Sequence, residues 1–156
     1  MKKNKGFTVV ELIASFALTM VIAAFLFEVL IDVKDVFAET TIKTNIQEKM
    51  GIISKNIKNV LPPIGSKVIG AGTSWQISNN KNGNLNSGIG LSYDESSVTI
   101  NNQKFSMPDL VNIDMSKSSI TNNCPSDCFL KVHFELTSSN LSKPYIYDVV
   151  YYYSKY

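Results

Sequence analysis

The sequence predicts an α+β protein in which a long N-terminal helix packs on a small antiparallel sheet. Three observations carry this prediction. No proline interrupts residues 7–61, apolar residues recur at helical spacing over residues 46–60, and strand-like alternation appears after Pro63. A chain of 156 residues has room for one domain and a membrane segment.

The first element is an apolar helix over residues 7–31, which follows a short basic segment at residues 1–6. Residues 12–27 contain no charged side chain, and the apolar flanks extend this core to the ~20 residues that a membrane-spanning helix needs. Lysines precede the run, whereas Glu28, Asp32 and Asp35 follow it. The positive-inside rule therefore places the N-terminus in the cytoplasm and everything after residue 31 outside it.

Residues 32–61 are typical of an amphipathic continuation of the same helix. Spacings of four and three residues draw one apolar stripe through Ile46, Met50, Ile53, Ile57 and Val60. We therefore expect one helix over residues 7–60, with its first half in lipid and its second half packed on the rest of the protein.

Residues 62–156 are expected to form a β-rich globular domain outside the cytoplasm. Residues 64–90 are rich in glycine, serine and asparagine and predict loops with one or two short strands. Strand patterns are present in SWQIS, IGLSY, SVTI, LVNIDM, FLKVHFEL and YIYDVVYYY. The last two alternate strictly and are separated by turn residues, so they predict an antiparallel hairpin with one buried face.

The two cysteines, Cys124 and Cys128, lie four residues apart in CPSDC. In an exported domain this spacing favours a small disulfide ring, which by loop entropy is worth roughly 2 kcal/mol. Free thiols remain an alternative. A zinc site would need about four ligands, and the chain offers one histidine, His133. We expect no metal and no cofactor.

Glu11 is the unusual residue of the N-terminal helix. A charge at the centre of a bilayer costs about 2.5–3.5 kcal/mol even on the lenient insertion scale. A plain signal anchor or a cleaved secretory signal would not need this carboxylate. If the chain were cut before Phe7, the new amine could pair with the Glu11 carboxylate and offset the cost of burying both charges.

The segment KGFTVVEL, followed by the long apolar helix, resembles the prepilin signature of type IV pilins and of the pseudopilins of type II secretion and competence systems. The resemblance implies cleavage by the prepilin peptidase after Gly6, N-methylation of Phe7, and use of Glu11 in assembly. It also implies a filament core built from the N-terminal helices, with the sheet domain facing outward.

The segment NIQEKMGIISKNIKNVL is similar to the helix end of minor pilins and J-type pseudopilins, which favours a minor subunit. The implied partners are other pilin subunits, the prepilin peptidase, the assembly platform and, before assembly, the membrane. The implied location is the cell membrane and then an extracellular pilus or pseudopilus. The alternatives are a tip subunit that acts as an adhesin or DNA-binding module, and a signal-anchored protein with an unrelated role.

Net charge gives no support to nucleic-acid binding, because three of the 15 lysines lie within the first six residues and the remainder is nearly neutral. The terminal tyrosines could stack on bases, but strand alternation explains them. No catalytic spacing surrounds His133. We therefore expect no enzyme. Other candidates considered and set aside are the paired acids Asp94 and Glu95, the separate acids Asp109, Asp114 and Asp127, and the glycines Gly65, Gly70 and Gly72.

Overall fold

The computed structural model describes residues 8–61, 67–78, 89–124 and 128–153. Its first element is the α-helix α1, which runs without a break over Val9–Val60. The prediction of one continuous helix is confirmed, and Gly51 does not interrupt it. The helix continues because proline is absent and because side chains of high helix propensity follow one another along its length.

The chain divides into two compact units, Met1–Ala38 and Glu39–Tyr156. The second unit contains the end of α1 together with all the strands and the whole buried core. The predicted boundaries at residues 31/32 and 61/62 describe the membrane edge and the end of the helix, and they stay predictions.

Nine strands follow the helix among the residues that the structure describes. In chain order they are β1 (Lys67–Ala71), β2 (Ser74–Ser78), β3 (Ile89–Asp94), β4 (Ser97–Ile100), β5 (Gln103–Ser106), β6 (Val111–Ile113), β7 (Ser119–Asn123), β8 (Cys128–Ser138) and β9 (Tyr145–Tyr153). Every strand pattern found in the sequence corresponds to one of them, whereas β5 and β7 lie in segments that the sequence analysis left as loops.

The first sheet is an antiparallel meander in the order β1-β2-β3-β4-β5. A two-residue turn connects β4 to β5, and both of its residues have positive φ angles: 50° at Asn101 and 64° at Asn102. Asparagine tolerates this left-handed conformation, and the resulting twist matches that of the flanking strands. This local chemistry explains how the polar segment QKFS is brought into the sheet.

The second sheet is built around β8. On one side β9 pairs with β8 over Cys128–Leu136. On the other side β6 lies opposite Leu136–Ser138 and β7 lies opposite Phe129–His133, so these two short strands share one edge of β8. The predicted β8–β9 hairpin is confirmed. The small sheet expected from the sequence is in fact two sheets.

The core lies between the second half of α1 and the strands. The helix contributes the predicted stripe, extended by one turn: Ile42, Ile46, Met50, Ile53 and Ile57 are buried. Strand β8 contributes its alternate residues, and Leu130, Val132, Phe134 and Leu136 have 0% exposure. Both patterns are those expected of a helix and a strand that each bury one face.

Hydrogen bonds between side chains join these layers. The Tyr151 hydroxyl on β9 donates to the Ser54 hydroxyl on α1 at 2.8 Å. On β7, the Asn122 amide donates to the Val68 carbonyl of the first sheet at 3.1 Å, and the Asn122 carbonyl accepts a hydrogen bond from the Tyr153 hydroxyl at 2.5 Å. These contacts give each partly buried polar group a partner, which offsets the cost of removing it from water.

Candidate functional site

The start of α1 is organised by Thr8 and Glu11. The Thr8 backbone amide donates to the Glu11 Oε2 atom at 2.8 Å, and the Thr8 hydroxyl donates to the same oxygen at 2.9 Å. In return, the Glu11 amide donates to the Thr8 hydroxyl at 3.3 Å. Threonine before the helix and glutamate three residues later form a capping box, which satisfies amides that have no partner within the helix.

This capping box gives Glu11 a local role that the sequence analysis missed. The signal was present, because T-x-x-E before an apolar run is the pattern of a capping box. The box also aims the carboxylate toward the start of the helix, where a negative charge is favourable. Both hydrogen bonds from Thr8 end on Oε2. An ionised carboxylate has about four acceptor positions, so the group retains the capacity to bind a cation.

Gly6 and Phe7, the predicted cleavage and methylation residues, lie outside the described residues. Their roles stay predictions. Because Phe7 directly precedes Thr8 in the chain, an amine created at Phe7 would be covalently next to the capping box that holds Glu11.

The helix after Glu11 exposes its apolar side chains on all sides. The most exposed of these include Val10, Leu12, Phe16, Val21, Phe25 and Phe27. This helix is long and apolar enough to cross a membrane, and its most apolar window is not buried against the rest of the protein. An apolar surface of this kind is stable in lipid or against other helices and unstable in water.

Two hydroxyls within this apolar segment are satisfied by the helix itself. Ser15 Oγ donates to the Glu11 carbonyl at 2.6 Å, and Thr19 Oγ1 donates to the Ser15 carbonyl at 2.8 Å. Backbone acceptors four residues earlier are the usual partners of serine and threonine inside helices. These hydrogen bonds lower the cost of placing the two side chains in lipid.

Cys124 and Cys128 form a disulfide in the structure. Cys128 is the first residue of β8 and is buried, with 1% exposure. The ring therefore joins the end of β7 to the start of β8. Whether the cell keeps this pair oxidised is a prediction that the Discussion takes up.

His133 lies on the outward side of β8, opposite Asp148 on β9. Its Nδ1 atom is 2.7 Å from Asp148 Oδ1, and Lys131 Nζ is 3.8 Å from the same oxygen. The sequence analysis expected a lone histidine beside Lys131 and Glu135 and did not identify Asp148 as its partner. The contact is a cross-strand polar pair, for which solvent-exposed examples contribute about 0.2–1 kcal/mol.

The acidic residues considered as candidate sites instead stabilise turns. Asp94 accepts hydrogen bonds from the Ser96 amide and the Ser97 hydroxyl, both at 2.8 Å. The Ser96 amide and then the Ser97 hydroxyl lower the pKa of Asp94 to about 2. Asp114 accepts from the Ser116 amide at 3.0 Å, in the turn between β6 and β7. Each is an Asx turn in which the carboxylate bonds to the backbone two residues later.

The remaining candidates are placed as follows. Gly70 lies in β1 and Gly72 lies in the β1–β2 turn with a φ angle of 62°. Gly65 and Asp127 lie outside the described residues. In the part of the chain that the structure describes, no group of three or more histidine, cysteine, aspartate or glutamate side chains is arranged to hold a metal ion.

Comparison with known families matches residues 1–27 to the prokaryotic N-terminal methylation motif. The matched segment contains Gly6, Phe7, the capping box and most of the uncharged apolar run. Neither the comparison with curated proteins nor the comparison with solved structures finds a match to this chain. The motif implies processing by a prepilin peptidase and assembly with other pilins. Together, this motif and the layout of a long N-terminal helix packed on antiparallel sheets support the assignment of the chain to the type IV pilin and pseudopilin family.

Proposed function

We propose that the protein is a structural subunit, of the minor class, in a type IV pilus or pseudopilus. In this proposal the prepilin peptidase cuts after Gly6 and methylates Phe7, and the mature chain assembles through its N-terminal helix. The observation that carries the proposal is a capped carboxylate at the start of an exposed, uncharged apolar helix that bears the methylation motif.

The mechanism follows from the cost of burying charge. Before assembly, residues 7–31 span the membrane with the N-terminus in the cytoplasm, and the Glu11 carboxylate is close to the lipid. A neighbouring subunit's Phe7 amine supplies the opposite charge, and this pairing offsets the desolvation of both groups. A subunit then leaves the bilayer favourably only when it docks at the position where the two charges meet.

The chemistry of the rest of the chain fits this structural role. The acids that were candidate sites stabilise turns, and His133 pairs with Asp148 across two strands. We propose that the sheet domain has no catalytic activity and that its partners are other pilin subunits and the assembly platform.

The direct test is the N-terminal mass of the protein recovered from sheared surface material. The proposal expects a chain that begins at Phe7 and carries one additional methyl group. The matched control is Gly6→Val, in which a bulky residue replaces the residue before the cleaved bond. This variant should keep residues 1–6 and stay in the membrane fraction. A wild-type chain that begins at Met1, or that begins far inside the helix, would overturn the proposal.

A further inference from the structure

The outer strand of the second sheet, β9, has one paired edge and one open edge. Its nine residues pair with β8 on one side, and the residues that the structure describes place no strand on the other side. An open edge presents a row of backbone donors and acceptors to solvent. Such a row is a template on which another extended segment can pair.

β9 lacks the devices that usually protect an open edge. It contains no lysine, no proline and no glycine, and Asp148 is its one charged residue. Three apolar or aromatic residues on its outward side are exposed: Ile146 at 58%, Val150 at 41% and Tyr152 at 76%. Natural sheets avoid edges of this composition because they associate. The edge is therefore suited to a partner strand.

The sequence of β9 favours a second copy of itself as that partner. An antiparallel pair centred on Val149 uses all nine residues and keeps inward residues opposite inward residues. It places Ile146 opposite Tyr152 of the second copy, an aliphatic–aromatic pair of the kind that stabilises sheets. Asp148 then lies opposite Val150 rather than opposite another charge.

The alternative self-pairings are less favourable. A pair centred on Asp148, or a parallel pair in register, would place the two Asp148 carboxylates directly opposite each other, which is destabilising. A pair centred on Val150 would leave Tyr145 and Ile146 without partners within the strand. The charge of Asp148 is also compensated within its own chain, by His133 at 2.7 Å and Lys131 at 3.8 Å.

We propose that two copies of this protein associate through an antiparallel pairing of their β9 strands, centred on Val149. The contact is a two-fold one, because the same surface contributes from each copy. It goes beyond the filament role and does not depend on cleavage at Gly6 or on the Glu11 carboxylate. In a filament it would connect two subunits sideways, outside the helix-to-helix packing.

Cysteine cross-linking of the full-length protein in cells tests the register. One tagged chain carries Ile146→Cys and a differently tagged chain carries Tyr152→Cys, and both keep Cys124 and Cys128. The proposal expects a cross-linked dimer that contains both tags. In cells that express only Tyr152→Cys chains, the two new thiols would be six residues out of register, or about 20 Å apart, and no dimer should form. Absence of the mixed dimer, or equal yields in both experiments, would overturn the proposal.

A second measurement uses variants that retain the fold because they change exposed side chains. Two differently tagged chains are co-expressed, and one tag is precipitated from detergent. Lysines at both outward positions, Ile146→Lys with Tyr152→Lys, should abolish co-precipitation. Leu110→Lys changes a residue of 65% exposure that is not on β9, and it should leave co-precipitation unchanged. Co-precipitation that survives the lysine pair would show that the copies associate elsewhere and would refute the β9 contact. A chain that fails the N-terminal mass test can still pass this one, so the two proposals are tested separately.

Discussion

Replacing Glu11 by valine and, separately, by glutamine distinguishes the two roles of this side chain. The structure shows a capping role, because Glu11 accepts hydrogen bonds from the Thr8 amide and hydroxyl. The proposed function adds a charge role, because an amine at Phe7 of a neighbouring subunit would need a carboxylate partner. Valine removes both roles. Glutamine keeps an oxygen for the capping box but carries no charge.

The magnitudes predict how each variant behaves in the membrane. Loss of the carboxylate removes an insertion cost of about 2.5–3.5 kcal/mol. Loss of the capping interaction costs about 0.5–2 kcal/mol of helix stability. The gain is larger than the loss, so Glu11→Val should insert at least as well as the wild type. Glu11→Gln keeps the cap and should also insert well.

The assay co-expresses tagged variants with wild-type protein, shears the cells, and compares the tag in sheared and membrane fractions. Both variants should be cleaved after Gly6, since the bond and its basic leader are unchanged, and both should be strongly depleted from sheared filaments. The control is Thr8→Val, which removes the capping hydroxyl and retains the Glu11 carboxylate. It should enter filaments at close to the wild-type level.

Two results would refute this reasoning. Recovery of Glu11→Gln in sheared filaments at the wild-type level would show that Glu11 acts only as a helix cap. Equal recovery of Glu11→Val would show that the carboxylate has no part in assembly.

Three further predictions concern the sheet domain. Tyr151→Phe removes the hydrogen bond to Ser54 and leaves that hydroxyl without its partner, so the free energy of unfolding should fall by about 1 kcal/mol in denaturant titrations. Because hydrogen bonds lower the pKa of Asp94 to about 2, its stabilisation is present above its unfolded-state pKa of ~4 and is lost as the pH falls through about 2, so Asp94→Asn should reduce stability at neutral pH and flatten the acid dependence. Cys124 and Cys128 should resist alkylation in surface material until a reductant is added, as mass spectrometry would show.

Each of these predictions has a control or a contradicting result. Tyr152→Phe changes a tyrosine of 76% exposure and should leave stability unchanged. An equal effect of the two tyrosine variants would exclude the Ser54 contact as the cause. Asp109→Asn makes the same chemical change at an exposed residue and should retain the acid dependence of the wild type. Complete alkylation of both cysteines without reductant would disprove the disulfide in the cell.

The sequence by itself determined the features that depend on near neighbours in the chain. The long helix follows from the absence of proline and from the apolar stripe that ends in Ile53 and Ile57. Strands β8 and β9 follow from strict alternation, since each buries one face. The Thr8–Glu11 capping box spans three residues and was readable from T-x-x-E, although the carboxylate was first interpreted only through its charge.

The tertiary structure decided the features that depend on residues far apart in the chain. β7 has one buried residue, Ile120, and forms because β8 offers it an edge. The Tyr151–Ser54 hydrogen bond joins residues separated by 97 positions, and the His133–Asp148 pair depends on the register of two strands. Local patterns record which face of an element is buried, because burial selects side chains one by one. They do not record which element provides the cover, because many apolar faces are interchangeable, and only the folded chain fixes that choice.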